Sequence, residues 1–335
     1  MSSSTSSSEP ATGDDGAGRA LGWAAMTAVA VLLASVAFIL ATDPYDRGHW
    51  NLIGDKGVPE FGQPLRNAGI GRQKGYDAAL VGNSTLQLVN PENVERIAGG
   101  KFVSMTMLGA GPLEELAMID WFRANHGEQV RALAIGIDES WCQPAGPLRK
   151  GRPFPFWLYD RSPLAYLAGV IRLDSLRHGV VRIAVAAGRM QPMRPNGFED
   201  YEPLLGWDRT IAQRAVERPR ATAAFDAGTA TFPALSLLEK LLGDLAGTTR
   251  VALVMLPRYA SSIPAPGSNY HQLEAACRQR LSELVAGRSR TALLDMLADD
   301  APARDIENWW DPTHYRGTIA REVERRIGTA LAAMH

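Results

Sequence analysis

Two short stretches, far apart in the chain, hold side chains whose types and spacing suit nucleophilic acyl chemistry. The first is Gly82-Asn83-Ser84-Thr85, directly after the apolar run Ala78–Val81. The second is Trp309-Trp310-Asp311-Pro312-Thr313-His314-Tyr315, near the other end. A serine hydroxyl is a poor nucleophile unless a base stands beside it. Histidine supplies that base when a carboxylate holds its ring, and Asp311 precedes His314 by three residues. The candidate triad is therefore Ser84 as nucleophile, His314 as general base and then acid, and Asp311 as the orienting carboxylate. Each motif alone also has a structural explanation, since turn serines cap helices and Asp-Pro favours turns.

Such a triad needs elements that bring residues 84 and 314 together. A short apolar run closed by Gly-Asn-Ser is how a buried parallel strand delivers a hydroxyl to the carboxyl edge of a sheet. From Tyr76 onward, strands and helices alternate. Strands are expected at Ala78–Val81, Phe102–Met107, Ala132–Ile137, Val251–Leu256 and Thr291–Leu294. Helices are expected at Pro91–Ala98, from Pro112 to about Asn125, and at 233–245, 269–286 and 317–333. Strands separated by helices of this length make right-handed crossovers and a parallel sheet. The expected fold is α/β, a three-layer parallel-sheet domain over 76–335. Residues 141–230 break the rhythm, with a helical stretch near 161–188 and a loop at 191–207. They read as an insertion, either flanking the carboxyl edge of the sheet or packing as a subdomain without ligand contact.

Gly82-Asn83-Ser84 after the first strand and Asp311-Pro312-Thr313-His314 before the last helix resemble the first and last blocks of the SGNH (GDSL-like) hydrolase superfamily. With an amino-terminal anchor, the chain is similar to its membrane-anchored branch, the alginate O-acetylation and teichoic-acid D-alanylation accessory proteins. The resemblance implies an SGNH/flavodoxin-like fold and a serine esterase or O-acyltransferase. Its substrate would be a small, acetyl-like acyl group on a cell-surface or exported glycan. It also makes a multi-span membrane acyltransferase an expected partner, and a catalytically inactive binding or scaffold protein the alternative.

Acyl transfer further needs donors aimed at the developing oxyanion, each worth about 3 kcal/mol. The backbone N–H of Ser84 is one candidate. The resemblance adds a glycine after the second strand, for which Gly109 or Gly111 in Leu-Gly-Ala-Gly-Pro is suited. The family's third block carries an asparagine after the third strand, where this chain has Asp138. An ionised carboxylate repels an oxyanion, so Asp138 is expected to be protonated, turned away or otherwise employed, with Asn83 supplying an amide instead. Trp310, beside the Asp–His pair, either lines the pocket or packs beneath it. The aromatic cluster Pro153–Trp157 reads as packing, and the Asn83-Ser84-Thr85 sequon as accidental at the end of a buried strand.

Composition bounds the rest. The chain has 335 residues with 46% apolar content, enough for one large domain or two small ones. A net charge of −1 gives no basic field for nucleic acid. Residues 20–41 carry no charge, and as a helix would rise about 33 Å against a hydrocarbon core of about 30 Å. That is longer than the apolar region of a cleaved signal peptide, so an uncleaved anchor is expected. Lys and Arg near its ends are almost balanced, Arg19 before and Arg47 after. A short inner tail with the domain on the extracytoplasmic (periplasmic) side is the simplest arrangement. Residues 1–18 read as a disordered tail and 43–75 as a loop-rich lead-in. Cys142 and Cys277 either pair or remain two buried thiols. His49, His126, His178, His271 and His335 show no ligand spacing, and no phosphate-binding glycine loop occurs, so no metal or cofactor is expected.

Overall fold

The apolar runs form a five-stranded, all-parallel sheet in the computed structural model, which describes residues 14–47, 52–54, 57, 59–144, 148–149, 152–218 and 230–334. In chain order the elements begin with α1 (Asp14–Thr42), α2 (Gln63–Ile70), β1 (Ala78–Gly82), α3 (Pro91–Ala98), β2 (Phe102–Thr106), α4 (Pro112–His126) and β3 (Ala132–Ile137). Residues 141–230 contribute α5 (Phe156–Tyr159), α6 (Pro163–Val170), α7 (Leu173–Ala186), α8 (Glu202–Leu205) and α9 (Arg209–Val216). Then follow α10 (Pro233–Gly243), β4 (Arg250–Met255), α11 (Asn269–Ala286), β5 (Thr291–Asp295), α12 (Ala301–Arg304) and α13 (Gly317–Ala332).

The strands lie in the order β2-β1-β3-β4-β5. The crossover direction reverses between β1 and β3, the position at which doubly wound sheets open a crevice at their carboxyl ends. Every residue of β1 is buried, because helices cover both faces. Alternate side chains divide between those faces. Ala79 and Val81 point to one core with Met118 and Phe122 of α4, Leu238 of α10 and Leu281 of α11. Ala78 and Leu80 point to the other, with Val94 of α3 and Ile319, Val323 and Ile327 of α13. Cys142, five residues past β3, is disulfide-bonded to Cys277 of α11, so the thiols are paired.

Helix α1 is long and apolar enough to cross a membrane. It begins at Asp14, so residues 14–18 are helical where a disordered tail was expected, and residues 1–13 of that tail lie outside the described residues. The expected lead-in at 43–75 is more structured than its composition indicates. Its Pro-started helix α2 is held by polar burial as well as by Ala68 and Ile70 in the core: Asn67 is fully buried, and its Nδ2 donates to Thr106 O at 2.9 Å. The helix expected across 161–188 is two helices, broken at Ile171-Arg172. At Gly169 a Cβ would stand 2.0 Å from the Trp157 ring. The cluster around Trp157 packs half-buried against the core, with Phe154 stacked on Tyr159 at 4.6 Å.

The residues after α1 belong to the folded domain. Asp46 Oδ1 accepts from Arg72 Nη2 at 2.7 Å and from Arg182 Nη2 at 2.9 Å. The Arg182 side chain is 1% exposed, and its Nε and Nη1 have no partner among the described residues. Replacing Asp46 with alanine would leave that cation buried without its counterion, a change that costs about 3–5 kcal/mol. Asp46→Ala is therefore expected to lower the unfolding midpoint of the full chain sharply, measured by chemical denaturation in detergent.

Candidate active site

The sheet order explains why residues 55 positions apart in sequence meet. β1 lies between β2 and β3, so the turn after β1 is flanked by the segment 107–111 on one side and Asp138 on the other. Met107 N donates to Gly82 O at 3.0 Å, which ties the ends of β1 and β2. Gly82 and Gly136 lie side by side: a Cβ on Gly82 would be 3.5 Å from Gly136 Cα and 3.2 Å from Leu86. This space lets the chain turn at once into a 3₁₀ turn, Ser84–Leu86. Asn83 caps it, its Oδ1 accepting from Thr85 N at 3.0 Å and Thr85 Oγ1 at 2.7 Å. Ser84 thus stands at the head of the turn, half-buried.

His314 comes from a loop whose ends are pinned. Trp309 and Tyr315 form an antiparallel bridge, and Trp310 N donates to His314 O at 2.8 Å. Asp311 organises the turn inside: its Oδ1 accepts from Thr313 N at 2.8 Å and His314 N at 2.9 Å. Its Oδ2 lies 2.7 Å from His314 Nδ1, and His314 Nε2 lies 2.8 Å from Ser84 Oγ. Burial alone would raise the Asp311 carboxyl, but the hydrogen bond and charge of His314 and the two backbone donors outweigh it, bringing it to about 2. An ionised carboxylate only accepts, so in the neutral ring Nδ1 carries the proton and the Nε2 lone pair faces the serine hydroxyl. All three residues of the candidate triad are brought together in one hydrogen-bonded line.

The other expected site residues separate. Gly111 N donates to Glu114 Oε2 at 2.9 Å as the cap of α4, so this N–H is committed to helix capping and not to an oxyanion. Gly109, with φ of 66°, has a conformation that suits glycine. Neither its N–H nor that of Ser84 has a partner among the described residues. Both N–H groups are therefore uncommitted, unlike that of Gly111. Asn83 Nδ2 donates to Asp138 Oδ2 at 2.5 Å, and Asp138 Oδ1 accepts from Ser140 N at 2.9 Å and from Ser140 Oγ. The Asp138 carboxylate therefore accepts from Asn83 and Ser140, and this bond takes one of the two N–H groups of the Asn83 amide. Trp309 is fully buried, whereas Trp310 is half-exposed beside Tyr201, with ring centroids 6.4 Å apart.

Several residues at the site carry no local sequence signal. Tyr201 lies on the insertion, and burial followed by the nearby Asp311 charge raises its phenol above the ordinary range. Glu202 accepts from Arg316 Nε at 2.8 Å and Gly317 N at 3.0 Å, capping α13 just after the histidine loop. Trp207 Nε1 donates to Trp309 O at 2.9 Å. The insertion therefore flanks the carboxyl edge of the sheet. Arg152 covers Gly109, where a Cβ would stand 2.9 Å from its Nε. Only their long-range contacts identify these residues.

Asp138→Ala separates positioning from chemistry. It strands a buried Asn83 donor, a loss of about 1–3 kcal/mol. Displacing the turn that carries Ser84 is expected to cost on the order of 10²-fold in kcat. Asp138→Asn keeps an oxygen facing Ser140 but sets an N–H₂ against Asn83 Nδ2, so it should not recover that rate, as steady-state turnover would report. Compared with family models and with curated proteins, the chain matches none.

Proposed function

We propose that this protein is a membrane-anchored, extracytoplasmic serine esterase or O-acyltransferase that acts on a small acyl group of a glycan. The observation that carries the reading is the line Asp311–His314–Ser84, with contacts of 2.7 and 2.8 Å and the imidazole lone pair aimed at the hydroxyl. In the first half-reaction Ser84 Oγ attacks the acyl carbonyl while His314 Nε2 takes its proton. Asp311 steadies the imidazolium, and the N–H groups of Ser84 and Gly109 face the oxyanion. His314 then protonates the departing sugar oxygen, leaving an acyl-serine. In the second half-reaction His314 draws a proton from water or a second sugar hydroxyl as that oxygen attacks the acyl carbonyl; the bond to Ser84 Oγ then breaks and His314 returns the proton to it, giving hydrolysis or transfer.

Two further observations support the setting. A disulfide persists in oxidising compartments and is rare in the cytosol, and Cys142–Cys277 is paired. The site is also open, with side-chain exposures of 30% for His314 and 37% for Asp311, which suits a polymer more than a small enclosed substrate. The alternative scaffold reading drew on a carboxylate beside the oxyanion. In the structure Asp138 accepts from Asn83 and Ser140. The test is acyl release from an O-acetylated glycan by the full chain in detergent micelles, with and without a hydroxyl acceptor. Free acetate or acetylated acceptor that disappears in Ser84→Ala supports the proposal, and equal release by that variant overturns it.

A further inference from the structure

Two helices of the insertion turn their apolar faces outward. On α7, Leu173, Val180 and Ile183 are 85%, 59% and 43% exposed. Their spacing of i, i+7 and i+10, with half-buried Leu176 between, places them along one side of the helix. Leu164 on α6 is 76% exposed, and Ile171 in the turn between the helices is 47% exposed. In water such an arrangement is costly, since soluble domains rarely expose contiguous apolar patches of this kind.

The adjoining face of α7 shows what covers them. Gly179 packs so closely on α1 that an added Cβ would stand 2.6 Å from Thr42 Oγ1 and 2.8 Å from the Phe38 ring. Phe38 lies within the uncharged span 20–41, about 5 Å along the helix from its end at Ala41. That is the depth, about 5–10 Å, at which amphipathic helices rest in a bilayer surface. Below this contact, Tyr45 Oη lies 3.1 Å from Ser175 Oγ and 3.0 Å from His178 Nδ1, and Arg182 is paired with Asp46. The α1 exit and α7 are thus joined at a fixed height. Exposed Arg172, Arg177 and Arg189 accompany a single acidic residue of α7, Asp174, a balance suited to anionic headgroups.

We infer that α6 and α7 are a second membrane-contacting element, lying in the headgroup–acyl boundary of the same bilayer that α1 crosses. The inference rests on the reading of α1 as an anchor. It makes the domain a body seated on the membrane rather than one swinging on a tether, so the triad works at a set height above the lipid.

The test uses the full chain in vesicles of phosphatidylcholine and phosphatidylglycerol in equal parts. Single nitroxide labels are placed at L173C, V180C, A30C and E322C, the native cysteines being held in their disulfide. Collision with oxygen, which partitions into lipid, is compared with collision with a water-soluble nickel chelate. The oxygen-to-nickel ratio at L173C and V180C is expected to be severalfold above that at E322C and to approach that at A30C. If L173C and V180C match E322C while A30C is lipid-exposed, the inference fails and the anchor stands. If A30C also matches E322C, the anchor reading fails with it. If L173C and V180C are shielded from both reagents and show spin–spin broadening, a second copy covers the face and the inference is overturned.

Discussion

Ser84→Ala is expected to lower ester turnover by on the order of 10⁶-fold in kcat while the protein remains folded. The size follows from the interdependence of the triad. Without Oγ there is no nucleophile for His314 to activate, so the contributions of all three residues are lost together. The residual rate over water would come from the backbone donors and substrate binding, and removing His314 as well should change little further. Stability should be nearly untouched, within about 0.5 kcal/mol. Ser84 is half-buried, its backbone carbonyl accepts from Gln87 N at 3.3 Å whatever the side chain, and its Oγ is bonded to His314. Paired kinetics and thermal unfolding would register the separation.

Asp311→Asn is expected to cost about 10⁴-fold in kcat with the loop intact. Asparagine retains an oxygen for the Thr313 and His314 N–H groups, which Asp311 Oδ1 now serves at 2.8 and 2.9 Å. The atom facing His314 Nδ1 becomes an amide N–H₂, which donates. Nδ1 must then accept, the ring proton moves to Nε2, and the imidazole offers Ser84 a donor rather than a lone pair. Imidazole nitrogen chemical shifts would report this tautomer change directly, apart from any loss of activity. Because the native carboxyl is held at about 2, it stays ionised well below neutral pH. The stability that this depressed carboxyl contributes is present above the ordinary aspartate value near 4 and is lost as pH falls through about 2.

The sheet and the ends of the site were legible because their signals are local. Buried parallel strands are continuous apolar runs, and Ala78–Gly82 and Ala132–Ile137 end within a residue of where composition places them. Ser84 and His314 each sit in a turn written into adjacent residues. The long-range partners were not legible. Nothing in Asp138 announces that Asn83 would hold it, since the contact depends on β1 lying beside β3. Nothing near Glu202 announces that it would cap α13. Helix α2 was hidden because polar side chains such as Arg66 and Asn67 are buried there, reversing the usual relation between composition and burial. Gly111 illustrates the opposite error: its position after β2 suits an oxyanion donor, but the Glu114 side chain three residues on takes its N–H.

The most direct measurement is mass spectrometry of the full chain in detergent after treatment with a fluorophosphonate, an electrophile that phosphonylates activated serines. The account predicts one adduct, on Ser84, that is absent from Ser84→Ala and falls by orders of magnitude in His314→Ala. Ser84 unlabelled on folded protein, or labelled equally with and without His314, would contradict it.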